Sequence, residues 1–298
     1  MKYLLLGKSG QVGHELQRTL LSLGQVIALG REEADLSNLT QLQGVLAQHT
    51  PDIIVNAAAY TAVDKAESDE AAAFRINAEA VGLMAEYARQ SGALLVHYST
   101  DYAFDGQKPA PYLETDATNP QSAYGRSKRA GEQVIEQSGC RALVFRTSWV
   151  FSARGGNFIK TILRLAKERE SLNVVADQYG APTSAELIAD VTALAIAGYR
   201  SRALTSGLYH LTAAGVTNWH SLACHVVNRA LANGAMLKLN AEQIHAIPTE
   251  VYPLPAKRPK NSRMDTGALS SALGLSLPNW NIHVDRVVDQ LSRSEPSA

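Results

Sequence analysis

Apolar residues in the first half of the chain recur with two different periods. Short, nearly continuous apolar runs at Lys2–Leu6, Val26–Leu29, Asp52–Asn56, Ala93–Tyr98 and Ala142–Arg146 predict buried strands. Between them the spacing becomes helical. Val12, Leu16, Leu20 and Leu23 mark a helix over Gln11–Leu23, and further helices follow over Leu39–Gln48, Glu70–Gln90 and Ser122–Gln137. Pro51 opens the third strand, and Ser91-Gly92 stops the long Ala-rich helix. Strands that are apolar throughout need cover on both faces. The repeated β–α units therefore predict an α/β chain with a doubly wound parallel sheet.

The second half is less regular. Helices are expected over Asn157–Arg169, Ser184–Tyr199, Asn218–Asn233 and Ile282–Leu291, with strands at Asn173–Val175 and Gly207–Leu211. Pro248, Pro253, Pro255 and Pro259 exclude a central strand there. The helix beyond them favours an ordered loop over a pocket rather than a disordered linker. Residues 294–298 read as a frayed tail. The expected organisation is a dinucleotide-binding domain over 1–150, to which 176–200 and 207–233 return. A smaller, mixed C-terminal substrate-binding region takes 151–175 and 234–298.

Composition narrows the function. The 298 residues carry 28 Lys+Arg and 28 Asp+Glu, a balance that argues against a basic nucleic-acid face and an acidic tail. A 46% hydrophobic, 19% charged chain has the profile of a globular protein with a sizeable core. Cys140 and Cys224 alone make neither a disulfide framework nor a structural zinc site. Tyr3–Leu6 is too short for a signal or membrane segment, so a cytoplasmic protein without membrane or nucleic-acid partners is expected.

The first strand runs into Gly7-Lys8-Ser9-Gly10-Gln11-Val12-Gly13, a G-x-x-G-x-x-G pattern before a helix. Residues without Cβ permit a tight turn, and the N–H groups at the helix start can then approach a pyrophosphate. Dinucleotide binding on a Rossmann-like sheet follows, with a plain βα turn as the alternative; the GxxxxGK[ST] phosphate loop is absent. The second strand ends Leu29-Gly30-Arg31, with no acid at its tip. Arg31 favours a 2′-phosphate and hence NADPH. NADH stays open, because Glu32 and Glu33 follow at once and Arg31 is otherwise a solvated loop charge. Asp35 and Leu36 lie where an adenine would. The small residues before Ala59-Tyr60-Thr61 let a cofactor lie close, or pack helix on sheet, or both.

The fourth strand is followed by Ser99-Thr100-Asp101, and Tyr124 and Lys128 stand four apart on one helix face. A lysine ammonium beside a phenol favours phenolate, so the spacing predicts a lowered Tyr124 pKa and proton exchange with a substrate oxygen. Thr100 is placed to bond the same oxygen.

These motifs resemble the extended short-chain dehydrogenase/reductase superfamily, and longer strings narrow the resemblance to its dTDP-4-dehydrorhamnose reductase family. The strings are residues 56–67 (NAAAYTAVDKAE), 97–106 (HYSTDYAFDG), 145–150 (FRTSWV), 177–183 (DQYGAPT) and 258–262 (RPKNS). The resemblance covers essentially the whole chain. It implies reduction of the C4 keto group of dTDP-4-dehydro-6-deoxy-L-mannose, with hydride from nicotinamide and a proton from Tyr124. Lys128 would hold the nicotinamide ribose and Thr100 the carbonyl oxygen. Gly10, Gln11 and Val12 would line the pyrophosphate, with Ala59, Tyr60 and Thr61 on the cofactor's other side. Asp101 and Trp149 match positions near the sugar nucleotide, though Trp149 also reads as an apolar plug. Lys257, Arg258, Lys260 and Arg263 suit a nucleotide diphosphate or form solvated surface. Asn77 matches a superfamily asparagine but reads here as a helix-surface amide.

Some members of the family dimerise around magnesium. Glu15 and Glu186 match two of the acidic positions, but Gln290 replaces the third, and an amide is a poor ligand for a hard cation. A monomer or weak homodimer with no magnesium requirement is expected. An Asp-Glu pair after Thr100, as in the related dehydratases, is absent. An epimerase, another 4-ketosugar reductase and a non-catalytic NADP-binding regulatory subunit, like that of methionine adenosyltransferase, remain as alternatives.

Overall fold

The computed structural model describes residues 1–293, and the tail expected at 294–298 lies outside them. In chain order the elements of the first half are β1 (Lys2–Leu6), α1 (Gln11–Leu20), β2 (Gln25–Leu29), α2 (Leu39–His49), β3 (Ile53–Asn56), α3 (Val63–Ala66), α4 (Glu70–Phe74), α5 (Ala80–Ser91), β4 (Leu94–Thr100), α6 (Ala123–Ser138) and β5 (Ala142–Thr147). The second half holds β6 (Val150–Phe151), α7 (Phe158–Glu168), β7 (Leu172–Val175), β8 (Tyr179–Gly180), β9 (Thr183–Ser184), α8 (Ala185–Arg200), β10 (Gly207–His210), β11 (Thr217–Asn218), α9 (Trp219–Ala232), β12 (Ile244–Ile247), α10 (Gly267–Leu273) and α11 (Trp280–Arg293).

Six strands form one parallel sheet in the order β10-β5-β4-β3-β1-β2. Successive strand residues point to opposite faces. Tyr3, Leu5, Ile53 and Val55 therefore pack with Leu16 and Leu20 of α1 and Ile188 of α8, while Leu4, Leu6 and Ile54 pack with α2 and α5. This two-sided burial explains why the strands read as continuous apolar runs. The chain passes from β1 to β2 on one side, then crosses to β3 on the other. A crevice opens between the carboxyl ends of β1 and β3 at that reversal, the place where such sheets take ligands.

A third core lies beyond the sheet, where α7, α9 and α11 pack through Ile159, Ile162, Val226, Val227, Val284 and Val288. There β7 pairs in parallel with β12, a strand the apolar pattern does not reveal. The helix expected over Glu70–Gln90 is interrupted by a π-helical turn at Arg75–Glu79. The Pro-rich segment is an ordered strap along a cavity wall, as its position between ordered elements implied. Asn157, Ser184 and Asn218, expected as helical, instead cap α7, α8 and α9 through side-chain oxygens that accept backbone N–H bonds.

Candidate active site

The glycine-rich turn closes the crevice. Gly7 has φ +88°, and a Cβ there would sit 2.8 Å from Ala58 N on the β3 side. A Cβ on Gly13 would sit 2.0 Å from the Gly7 carbonyl. Gly10 begins α1 without a side-chain cap, so the first N–H groups of the helix stay open toward the crevice. Val12 packs into the core beneath, and Gln11 Oε1 accepts a 3.0 Å bond from Asn157 Nδ2, which ties the 152–157 turn over the loop. An uncapped helix start and a turn closed to Cβ atoms fit a dinucleotide pyrophosphate.

At the far end of the crevice Arg31 is 81% exposed along its side chain and meets Asp35 at 3.4 Å. Glu33 is not free to replace a missing acid. Its carboxylate accepts the Gly30 N–H at 2.6 Å and pairs with Lys8, contacts that hold it below the usual carboxylate range. Asp35 accepts from the Ser37 N–H and hydroxyl, and Leu36 is buried. Across the crevice Ala59, Tyr60 and Thr61 follow β3. Asn77, on the π-helical turn, accepts from Tyr60 N at 2.9 Å and donates to Tyr60 O at 3.0 Å and Ser127 Oγ at 3.0 Å. It is 1% exposed, so it is no surface amide. The π turn aims it inward, a feature that helical periodicity does not signal.

The structure brings Thr100, Asp101 and Tyr124 together, with Lys128 one turn along α6 from Tyr124. β4 continues through Thr100, whose hydroxyl donates to Asp101 Oδ1 at 3.0 Å and accepts from Tyr102 N at 3.2 Å. Tyr124 lies in the first turn of α6, where Ser122 caps Gly125 N and Glu67 accepts from Ala123 N at 2.8 Å. Its ring meets Tyr102 edge-on at 5.5 Å.

The electrostatics differ from the sequence expectation. Burial pushes the Tyr124 phenol up to about 12; a hydrogen bond with Thr100 draws it down, and Asp101 raises it. Lys128 does not set this balance. Its ammonium donates to the Tyr98 carbonyl at 2.6 Å and stands 3.4 Å from His97 Nε2. Burial lowers Lys128 to about 8, opposed by Glu132. Burial also raises Asp101 to about 6, against the Ser262 and Thr100 hydroxyls.

A cavity of about 1050 Å³ runs along the strap; its lining reaches Asp105 and Arg258 but none of Thr100, Asp101, Tyr124 and Lys128. Ile162, Leu165, Leu172 and Val174 line one side, and Tyr252–Lys257 of the strap the other. Trp149 stands at its margin. Its backbone is left-handed at φ +49°, and its indole stacks on Trp219 with centroids 3.6 Å apart. Gly180 makes room for it, since a Cβ there would meet the indole at 2.8 Å. Trp219 itself lines the cavity, and Gln178 accepts its indole N–H at 3.1 Å. Only its place after a helix cap hinted at Trp219.

The basic residues 257–263 do not form one phosphate cluster. Arg258 makes a bidentate pair with Asp64, at 3.0 and 2.8 Å, and Asp64 also accepts the Ala256 N–H. Lys260 pairs with Asp177 and Glu250, Lys257 reaches Gln121, and Arg263 bonds Asn261 and the Pro109 carbonyl. Each cation has its own partner because the strap is fastened to the rest of the chain through them. A Cβ on Gly106 would sit 2.6 Å from Pro259, so the 105–107 turn also depends on this close approach.

Behind β4 and β5 a buried ion pair escaped sequence reasoning. Arg146 binds Glu132 through Nε at 2.8 Å and Nη2 at 2.6 Å, and Ser99 Oγ donates to Glu132 at 2.5 Å. On the far surface Glu186 faces Arg286 at 3.3 Å and His283 at 3.6 Å, while Glu15 lies 4.0 Å from Arg18. With Glu186 already paired with the Arg286 guanidinium, and Gln290 offering only an amide, these residues make a poor site for a hard cation. Among the described residues no group of three or more His, Cys, Asp or Glu is placed to hold a metal. None of the described helices is long and apolar enough to cross a membrane.

The family described as RmlD substrate binding domain matches residues 1–293. A dTDP-4-dehydrorhamnose reductase of Burkholderia thailandensis is 52% identical over 295 residues, covering 98% of this chain and 99% of that protein. The crystal structure of a dTDP-4-dehydrorhamnose reductase from Clostridium acetobutylicum matches with a TM-score of 0.89 at 32% identity, covering 98% of this chain and 99% of that one. That of the Bacillus anthracis dTDP-4-dehydrorhamnose reductase, in complex with NADP, matches with a TM-score of 0.86 at 33% identity, covering 97% and 99%. On the match over its described length and the identity to these relatives, the chain belongs to the RmlD substrate-binding family, that of the dTDP-4-dehydrorhamnose reductases.

Proposed function

We propose that this chain uses NADPH to reduce the C4 keto group of dTDP-4-dehydro-6-deoxy-L-mannose, giving dTDP-L-rhamnose. The observation that carries the mechanism is the meeting of Thr100, Asp101 and Tyr124 at the end of β4 and the start of α6. When bound, NADPH supplies the hydride to C4. The open N–H groups after Gly10, with Gln11 and Val12, hold its pyrophosphate, and Gly7 and Gly13 keep the turn tight enough to do so. Arg31 takes the 2′-phosphate, Asp35 and Leu36 flank the adenosine, and Ala59, Tyr60 and Thr61 support the opposite side.

Tyr124 donates a proton to the oxygen at C4 as charge develops there. A phenol held at about 12 is fully protonated near neutral pH, which suits an acid in the reductive direction. Thr100 orients the carbonyl oxygen. Lys128 holds the nicotinamide ribose. Asp101 and Trp149 contact the sugar nucleotide, whose base occupies the apolar side of the cavity. Arg258 shapes that cavity from its latch on Asp64 rather than serving as a free phosphate cation.

We further assign the sheet, with α8 and β10, to the dinucleotide-binding unit, and the third core with the strap to the substrate-binding unit. The enzyme works in the cytoplasm as a monomer or weak homodimer, without magnesium, nucleic acid or membrane. The pairing of Glu186 with the Arg286 guanidinium supports metal independence. The test is loss of NADPH absorbance by purified protein given freshly generated dTDP-4-dehydro-6-deoxy-L-mannose, with EDTA and NADH arms. Formation of dTDP-L-rhamnose with EDTA present is expected. No oxidation of either cofactor would overturn the proposal, and product formed only with added magnesium would overturn metal independence.

A further inference from the structure

Two buried polar residues behind Lys128 have no part in the reaction as described. Asn56 ends β3, and His97 lies beside it in register on β4; each is 1% exposed. Asn56 Oδ1 accepts the Ala58 N–H at 3.1 Å, which fixes the orientation of the amide. Its Nδ2 therefore faces His97 Nδ1, at 3.2 Å. An amide nitrogen only donates, so Nδ1 must be the acceptor. A neutral imidazole carries one N–H, which then belongs to Nε2. That nitrogen stands 3.4 Å from Lys128 Nζ. An ammonium also only donates, whereas a neutral amine offers a lone pair.

We propose that Asn56 locks His97 as the Nε2–H tautomer and that this N–H, aimed at Nζ, lowers the proton affinity of Lys128. His97 is thereby a positioning residue that tunes Lys128. The other groups around Lys128 do not undo this. The Tyr98 carbonyl accepts from Nζ in either charge state. Glu132, one turn along α6, favours the ammonium, but its carboxylate is engaged by Arg146, Ser99 and Arg129. Tyr124 stands one turn earlier on the same helix, next to Thr100 and Asp101. Burial and the Lys128 charge both hold His97 far below the usual imidazole range, so it stays neutral. The catalytic consequence rests on the reading of Lys128 given above. Turnover that needs the ammonium declines as pH rises through about 8, well before an ordinary lysine would lose its proton.

Burial alone and the N–H donor predict opposite signs for one substitution. His97→Leu keeps Lys128 at least as buried, so burial alone leaves its titration midpoint unchanged or lower. The tautomer account expects a rise of about one pH unit, a tenfold gain in proton affinity. The midpoint is read from lysine ε-carbon NMR signals on the full chain, assigned by their loss in Lys128→Met. The tautomer is read from long-range proton–nitrogen correlations of labelled histidines, with the His97 ring assigned through bonds from its own backbone signals in the unmodified protein. Nε2–H is expected in the unmodified protein and conversion to Nδ1–H in Asn56→Asp, whose carboxylate can only accept. An Nδ1–H tautomer in the unmodified protein, an unchanged tautomer in Asn56→Asp, or a His97→Leu midpoint that does not rise would overturn the inference. The tautomer of the unmodified protein decides even if neither variant folds. These titrations need no turnover, so they fail separately from the reductase reading.

Discussion

The Glu132–Arg146 pair offers a sharp test of how the site is held. Both residues are almost fully buried, at 3% and 2% exposure. Glu132 receives two bonds from Arg146, at 2.8 and 2.6 Å, one from Ser99, directly before Thr100, and one from the more exposed Arg129 at 3.2 Å. Glu132→Gln preserves volume but removes the charge. It leaves a buried guanidinium whose Nη1 already lacks a hydrogen-bond partner. Removing one side of a buried ion pair costs about 3–5 kcal/mol. That is roughly a hundredfold or more in the unfolding equilibrium. Urea unfolding followed by tryptophan fluorescence and far-UV circular dichroism measures the loss. The double variant Glu132→Leu/Arg146→Met should recover most of it, because neither charge is then desolvated. A single-variant loss below about 1 kcal/mol, or a double variant as unstable as the sum of the singles, would refute the reasoning.

Gly13→Ala should abolish measurable NADPH binding in a fluorescence titration, because its Cβ would sit 2.0 Å from the Gly7 carbonyl; an unchanged Kd would contradict the turn's role. Arg31→Leu should weaken NADPH about tenfold or more while leaving NADH within about twofold, since a bond to a charged phosphate is worth about 1.5–3 kcal/mol. Equal losses for both cofactors would remove Arg31 from the 2′-phosphate site. Asp101 binds its proton more tightly folded, at about 6, than its ordinary 3.8, so its contribution to stability is lost as pH rises through that window. Asp101→Asn should therefore gain stability relative to the unmodified protein between about pH 4 and 6, and parallel unfolding profiles would exclude a buried carboxyl there.

The main sheet was legible in the apolar runs because its inner strands β1, β3, β4 and β5 are covered on both faces. The helices were legible where one face meets the sheet, as for Leu16 and Leu20 in α1. The π turn at Arg75–Glu79 was not, since it inserts into an otherwise continuous Ala-rich pattern and changes only where Asn77 points. Tyr124, Lys128 and Thr100 were singled out because helical spacing and strand ends are local facts, whereas Asp101 came from the family resemblance. The partners of Arg258 and Arg146 were not local. Asp64 lies 194 residues from Arg258, and only the packed chain shows that this cation is a latch. The lowered phenol pKa failed for a related reason. Spacing four apart puts Tyr124 and Lys128 on one face, but the depth of burial and the Tyr98 carbonyl decide where the ammonium points.

The central claim is that Tyr124 is the proton donor in a reduction driven by NADPH. The most direct measurement is turnover of dTDP-4-dehydro-6-deoxy-L-mannose by Tyr124→Phe, followed as loss of NADPH absorbance, beside the Kd for NADPH of the same protein. Turnover should fall about a hundredfold or more, the usual contribution of a positioned acid, with NADPH affinity within about twofold of the parent. Turnover equal to the parent's, with affinity intact, would contradict the account.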